Sequence, residues 1–310
     1  MSWVFLATLG QLLNAAVAFL DKYIVSDEKV LPRPFVYAFY SCLLTGFWVL
    51  IYFLGYIPGF AEHGVPTFDG ITKPSIQVIG MSFLAAYTFF MALVSMYEAL
   101  RKAEAVNVMP VIGATSALVT FGLSYFFLNT PFQTHYMWGV MVLALGTLLV
   151  AQTLPKKAII LSVIHSGVFF ALHFISMKGL FEETNFNDGF FWSRISFVLF
   201  ALSLLMVPAY FEKITEQSKK TTKRTGAVVM LTKVFAGVAA FLLLKATDLG
   251  DVAVVQAMDG LKFVFILAAT VIFGSMLPDS VAKHEARPQQ IFRQVLYVAV
   301  IAVGYLILFI

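Results

Sequence analysis

Long apolar runs alternate with short polar stretches over the whole chain. Runs bounded by charged residues, proline and glycine fall near 2–20, 35–57, 74–97, 106–128, 135–153, 159–177, 190–210, 227–246, 252–275 and 291–310. Each is close to the roughly 20 residues that a helix needs to cross the hydrocarbon core. The runs are continuously apolar, whereas barrel strands alternate over about ten residues, so helices are predicted. The pattern describes an all-α membrane protein of ten transmembrane helices, with no separate soluble domain.

Basic residues set an expected orientation. Connections after the first, third, fifth, seventh and ninth runs hold Lys22, Lys29, Arg33, Arg101, Lys102, Lys156, Lys157, Lys213, Lys219, Lys220, Lys223, Arg224, Lys283, Arg287 and Arg293; the other connections hold only Lys73, Lys178 and Lys245. The positive-inside rule makes the first set cytoplasmic and puts both termini outside. The second half also echoes the first: "VNVMPVIGATSALVTFGLSYFF" from 106 aligns at an offset of 146 with "VAVVQAMDGLKFVFILAATVIF" from 252. Five spans is an odd number, so two such copies, 1–153 and 154–310, would be inverted five-helix repeats within one transmembrane unit.

The short third-to-fourth connection in "YEALRKAEAVNVMPVIGATSALVTFGLSYFF" and the glycine-spaced fifth run "WGVMVLALGTLLVAQ" resemble the EamA-type branch of the drug/metabolite transporter superfamily. Lys22 and Lys178, closing the first span of each half, fit the same resemblance. It implies a ten-helix secondary transporter that works by alternating access around a central cavity. Many relatives end the fourth and ninth spans with glutamate, where this chain has Asn129 and Ser275.

Composition agrees with membrane insertion: 60% of residues are hydrophobic and 12% charged, against about 25% charged in soluble domains. Most basic residues lie in connections between apolar runs, a pattern that orients spans and gives no reason to expect nucleic acid. Cys42 is the single cysteine, which excludes an internal disulfide and a thiolate metal cluster. Ala16-Val17-Ala18 resembles a signal-cleavage site, but no Lys or Arg precedes Lys22, so a retained first helix is expected.

Ionisable groups inside the runs are the candidate chemistry, because a charge at mid-bilayer costs about 2.5–3.5 kcal/mol on insertion scales. Gln256, Asp259 and Lys262 recur every three residues, and each step turns about 300°, so they share one side of a helix. Val255, Val264 and Leu267 occupy the other side, toward lipid or other helices. Asp259 and Lys262 are either a self-neutralising structural pair or cavity-lining contacts to cargo. Lys233 in the eighth run aligns through the repeat with Tyr87 in the third, which is then expected on the pathway. Arg194 either snorkels to the outer headgroups or lines the cavity. Three cations against Asp259 leave a positive surplus that favours an anionic or carboxylate-bearing cargo.

His165 and His173 in the sixth run are candidates for helix packing or proton handling. Asp259 is the preferred proton-coupling candidate, and protons the candidate coupling ion. Asn14 and Asn107 offer hydrogen bonds between helices, and Tyr37, Tyr40 and Tyr87 either offer hydroxyls to cargo or serve at the interface and in helix packing. Pro110 breaks the fourth helix or is tolerated near its start. Gly139 and Gly146 suggest close helix packing. The expected substrate-binding set is Lys233, Gln256, Asp259, Lys262, Arg194, Tyr87, Asn14 and His173.

No phosphate-binding loop, HExxH pair or spaced metal ligands occur, so no cofactor, metal or ATP-driven activity is expected. The stretch 211–226, "FEKITEQSKKTTKRTG", is expected to be a flexible cytoplasmic linker near anionic lipid. The leading expectation is a secondary transporter of a small polar organic metabolite bearing an anionic group, in a bacterial cytoplasmic membrane, as a monomer or a homodimer. An exporter of cationic or amphipathic drugs or amino acids is the second, and a membrane-embedded lipid-handling protein or enzyme the third.

Overall fold

The computed structural model describes residues 2–26, 33–60, 62, 65–103, 105–128, 134–151, 156–220, 223–273 and 288–308. Its regular structure is helical, with no strand among the described residues. The helices are α1 (Ser2–Ser26), α2 (Pro34–Gly46, continued by a 3-10 stretch Phe47–Tyr56), α3 (Ile76–Lys102), α4 (Ala105–Phe127), α5 (Thr134–Val150), α6 (Lys157–Glu183) and α7 (Phe186–Leu204). They continue as α8 (Pro208–Lys220), α9 (Lys223–Leu249), α10 (Val252–Ala257), a 3-10 turn Met258–Gly260, α11 (Leu261–Phe273) and α12 (Pro288–Ile307). Seven helices, or helix pairs joined end to end, are long and apolar enough to cross a membrane; α7 makes an eighth only when counted with α8, from which it is bent by 98°. Thr134–Val150 and Val295–Ile307 are shorter apolar helices.

Several helices outrun their apolar stretches. α3 continues past 97 to Lys102 because Glu, Ala, Leu, Arg and Lys are strong helix formers, and Arg101 and Lys102 complement the negative end of its dipole. Side-chain oxygens cap two starts: Ser75 accepts from Val78 N at the head of α3, and Asn185 from Asp188 N at the head of α7. Pro110 does not break α4, which runs through it in its second turn. The stretch read as a linker, 211–226, is instead helical up to Lys220 and again from Lys223. Val207, Tyr210, Phe211 and Ile214 supply the helical period there, which the dense charges conceal.

α3 packs along α6, and α1 along α9; α2 packs against α7, α4 against α10, and α5 against α12. Gly139 and Gly146 serve the last contact. A Cβ at Gly139 would lie 2.3 Å from Leu308 Cδ2, and one at Gly146 2.9 Å from Ile301 Cγ1. At the end of the bundle where α7 begins, residues 65–75 are tied down. Thr72 N and Oγ1 donate to the Asp188 carboxylate at 3.1 and 2.6 Å, Asn187 Nδ2 donates to Thr67 O at 2.8 Å, and Trp192 Nε1 to Thr72 O at 3.1 Å. Asn129, Ser275, Lys29, His63, Lys283, His284 and Arg287 lie outside the described residues, as do the side chains of Lys22, Lys219, Lys220, Lys223 and Arg224.

Candidate functional site

A cavity of about 190 Å³ lies among α1, α2, α3, α4, α6, α7, α9 and the α10–α11 break, with α5 and α12 outside it. Its wall is largely apolar, built from Phe89, Phe170, Phe174 and Phe197 among others, and Ala236 and Ala240 on α9 leave it room. Three groups of polar side chains face this space.

The first joins four helices. Lys233 Nζ of α9 donates to Asp21 Oδ1 of α1 at 3.1 Å and to Tyr97 Oη of α3 at 3.2 Å. Tyr37 Oη of α2 donates to the same Asp21 oxygen, and Ser41 Oγ lies 3.3 Å from Tyr97 Oη. The ammonium also sits 4.2 Å from the centre of the Tyr37 ring. Lys233 is buried, so this shell of acceptors and ring faces replaces the water that a charge otherwise requires.

The second group surrounds the break between α10 and α11. Asp251 caps α10 by accepting from Ala253 N and Val254 N. The helix then tightens into the 3-10 turn Met258–Gly260, where α5 comes close: a Cβ at Gly260 would lie 2.3 Å from Thr147 Oγ1. Lys262 Nζ donates to Asp259 Oδ2 at 2.5 Å, and Ser116 Oγ of α4 to Gln256 Oε1 at 3.1 Å. Gly113 of α4 makes room for the carboxylate, since a Cβ there would lie 2.5 Å from Asp259 Oδ2. Gln11 and Asn14 of α1 line the same cavity, with Asn14 Nδ2 donating to Gln11 Oε1 at 3.3 Å.

The third group is Arg194 on α7, which is only 2% exposed. Its guanidinium carbon lies 4.7 and 4.6 Å from the ring centres of Phe190 and Phe197, and Nε donates to Ser193 Oγ at 3.3 Å. Among the described residues Nη2 is buried without a hydrogen-bond partner, an arrangement that costs free energy unless an acceptor arrives. His173 of α6 donates Nδ1–H to Ala85 O at 2.9 Å, a carbonyl that can only accept, so in the neutral ring Nε2 is an acceptor.

Seven of the eight residues singled out in the sequence line this one cavity: Lys233, Gln256, Asp259, Lys262, Arg194, Asn14 and His173. Arg194 does not snorkel. Asp259 and Lys262 are both a close pair and part of the cavity wall. Tyr87 is the exception: it is 43% exposed, packs edge-on against Phe169 and Phe200, and points away from the cavity. Phe89 lines the cavity instead, two residues on, and two residues turn a helix by about 200°. His165 binds Ser95 Oγ at 2.7 Å between α6 and α3, outside the cavity. Sequence reasoning missed Asp21, Tyr97, Ser41, Ser116 and Gln11. The lining holds three cations, Arg194, Lys233 and Lys262, and two carboxylates, Asp21 and Asp259, so its formal charge is three less two, or +1.

No family model and no curated protein matches the chain. Among solved structures 27 chains match. One of them, a crystal structure, superposes with a TM-score of 0.65 at 16% identity, covering 99% of this chain and 96% of its own. At that identity the similarity shows a shared fold over the full chain and nothing about activity.

Proposed function

We propose that the protein is a secondary transporter that moves a small organic metabolite bearing an anionic group across the membrane by alternating access, with the central cavity as its cargo site. One observation carries this: Lys233 and Lys262 already have carboxylate partners, whereas Arg194 contributes the surplus charge and a buried donor with no partner among the described residues. A cargo carboxylate or phosphate would satisfy that donor with a charge-assisted hydrogen bond. Asp259 is occupied by Lys262, which counts against the reading in which it serves as the counter-charge for a cationic drug.

The architecture proposed with it is ten spans in two inverted five-helix repeats, as in the EamA-type transporters that the sequence resembles. Helix neighbours support it. Let α9 count as the third span of a second half and α6 as its first. Exchanging the halves then turns the α1–α9 contact into the α6–α3 contact, and it maps α2–α7, α4–α10 and α5–α12 onto themselves. The polar groups lie where such halves would meet. Both termini outside, in a bacterial cytoplasmic membrane, completes the proposal.

Uptake into vesicles containing the purified protein tests it. The panel holds monocarboxylates, sugar phosphates, nucleotide sugars, amino acids and the lipophilic cation tetraphenylphosphonium. Protein-dependent uptake of one of the anionic classes supports the proposal. Uptake of the cation alone favours a drug exporter, and turnover of vesicle lipid with no uptake favours an enzyme.

A further inference from the structure

Where α7 ends, the chain turns by 98° into α8. Val207, Tyr210, Phe211 and Ile214 recur at helical spacing and form one apolar stripe. The stripe is divided between two environments. Ile214 is buried, and the Tyr210 ring lies 4.8 Å from that of Phe35 on α2. Phe211 and Val207, by contrast, are 52% and 42% exposed. Arg33 Nη2, just before α2, reaches Glu216 Oε2 at 3.2 Å. The ring contact and the burial of Ile214 turn that side of α8 toward α2 and leave Phe211 facing outward.

The outward side continues an apolar wall. Leu199 and Leu202 on α7, then Met206 at the bend, are all exposed and lead directly to Val207 and Phe211. The sequence of α8 and the start of α9 adds Lys213, Lys219, Lys220, Lys223 and Arg224 against Glu212 and Glu216, five less two, or a local charge of +3. A helix nearly perpendicular to a spanning helix lies in the membrane plane, and apolar side chains beside clustered cations suit the boundary between acyl chains and anionic headgroups. We propose that α8 is a membrane-surface helix that docks on anionic phospholipid, with Val207 and Phe211 entering the acyl boundary and the net positive charge of this segment drawing it to the phosphates. The docking rests on α7 crossing the bilayer, as proposed above, and does not depend on the cargo.

Cys42 is buried, so an exposed engineered cysteine takes a thiol-specific spin label selectively. The full chain is labelled at Phe211→Cys, at Ala209→Cys about 200° around α8, and at Leu199→Cys on α7. Each protein is placed in vesicles of phosphatidylcholine alone or mixed with phosphatidylglycerol, and collisions with oxygen and with a water-soluble nickel chelate are measured. The expected result is a severalfold higher oxygen-to-nickel ratio at 211 than at 209. That ratio should rise further with phosphatidylglycerol, and the rise should vanish in the combined variant Lys213→Gln, Lys219→Gln, Lys220→Gln. Nickel access at 211 equal to that at 209, with 199 still shielded, overturns the docking while α7 remains a span. Nickel access at 199 as well overturns the spanning premise. Shielding of 211 from both reagents means that protein covers it, and overturns the lipid assignment. A phosphatidylglycerol response that survives the combined variant overturns the role given to the basic residues.

Discussion

Lys233 Nζ stands 3.1 Å from Asp21 Oδ1, and through this contact α9 is joined to α1 across 212 residues of sequence. Both side chains are buried, so each is the other's principal compensation for lost water. Breaking a buried pair strands a charge and costs about 3–5 kcal/mol, whereas replacing both partners by apolar groups costs far less. Asp21→Leu and Lys233→Met should each lower the melting temperature of the purified protein, and the double substitution should lower it by less than the sum. Additive losses would mean that the two side chains are not energetically coupled.

Gly113→Ala tests the second polar group. The added methyl would overlap Asp259 Oδ2, and because that oxygen ends a rotatable side chain, the chain can yield without unpacking α4. Melting temperature should change little, while protein-dependent uptake falls severalfold as Asp259 swings off Lys262. A large loss of stability with uptake per folded molecule preserved would show that the glycine is needed only for packing.

At the end of the bundle where α7 begins, Asp188 holds residues 65–75 through two hydrogen bonds from Thr72. Asp188→Ala leaves those donors without their acceptor, at a cost of about 1–3 kcal/mol. Limited proteolysis should then cut within 65–75 sooner than in the parent, with other sites unaffected. Unchanged cleavage kinetics would show that the loop is held by its other contacts.

Asp259 is also the proposed proton-coupling group. Asp259→Asn keeps the shape of the side chain but removes its ionisation. Uptake driven by a pH gradient should fall to the level without a gradient, while exchange of cargo across the membrane at equal pH persists. Gradient-driven uptake equal to that of the parent protein would remove Asp259 from the coupling step.

Much of the site was legible because helical spacing is rigid. The three-residue recurrence of Gln256, Asp259 and Lys262 put them on one side, and all three line the cavity despite the 3-10 turn between them. Tyr87 failed because a faint repeat alignment carries no rotational information, and a register error of two residues faces a helix the wrong way. Asp21 was missed because its neighbour Lys22 made it look like the start of a loop, although α1 continues to Ser26. Its signal was present: Gln11, Asn14 and Asp21 sit three and seven residues apart, one stripe of a helix. Tyr97 and Ser41 had no such signal, since a hydroxyl beside a buried lysine is set by tertiary packing. α8 was missed because its dense charges masked the apolar period of Val207, Tyr210, Phe211 and Ile214, and the stretch was read as a linker.

In the proposed transporter Arg194 receives the anionic group of the cargo. The most direct test is ligand-induced stabilisation of the purified protein, measured for the parent, Arg194→Lys and Arg194→Ala against the same panel of carboxylates, sugar phosphates and tetraphenylphosphonium. One anionic class should raise the melting temperature of the parent. Its affinity should weaken by about 1.5–3 kcal/mol, or roughly ten- to a hundredfold, in Arg194→Ala, with partial recovery in Arg194→Lys. Equal stabilisation of the parent and Arg194→Ala by every anion, or stabilisation by the cation alone, would contradict this role of Arg194.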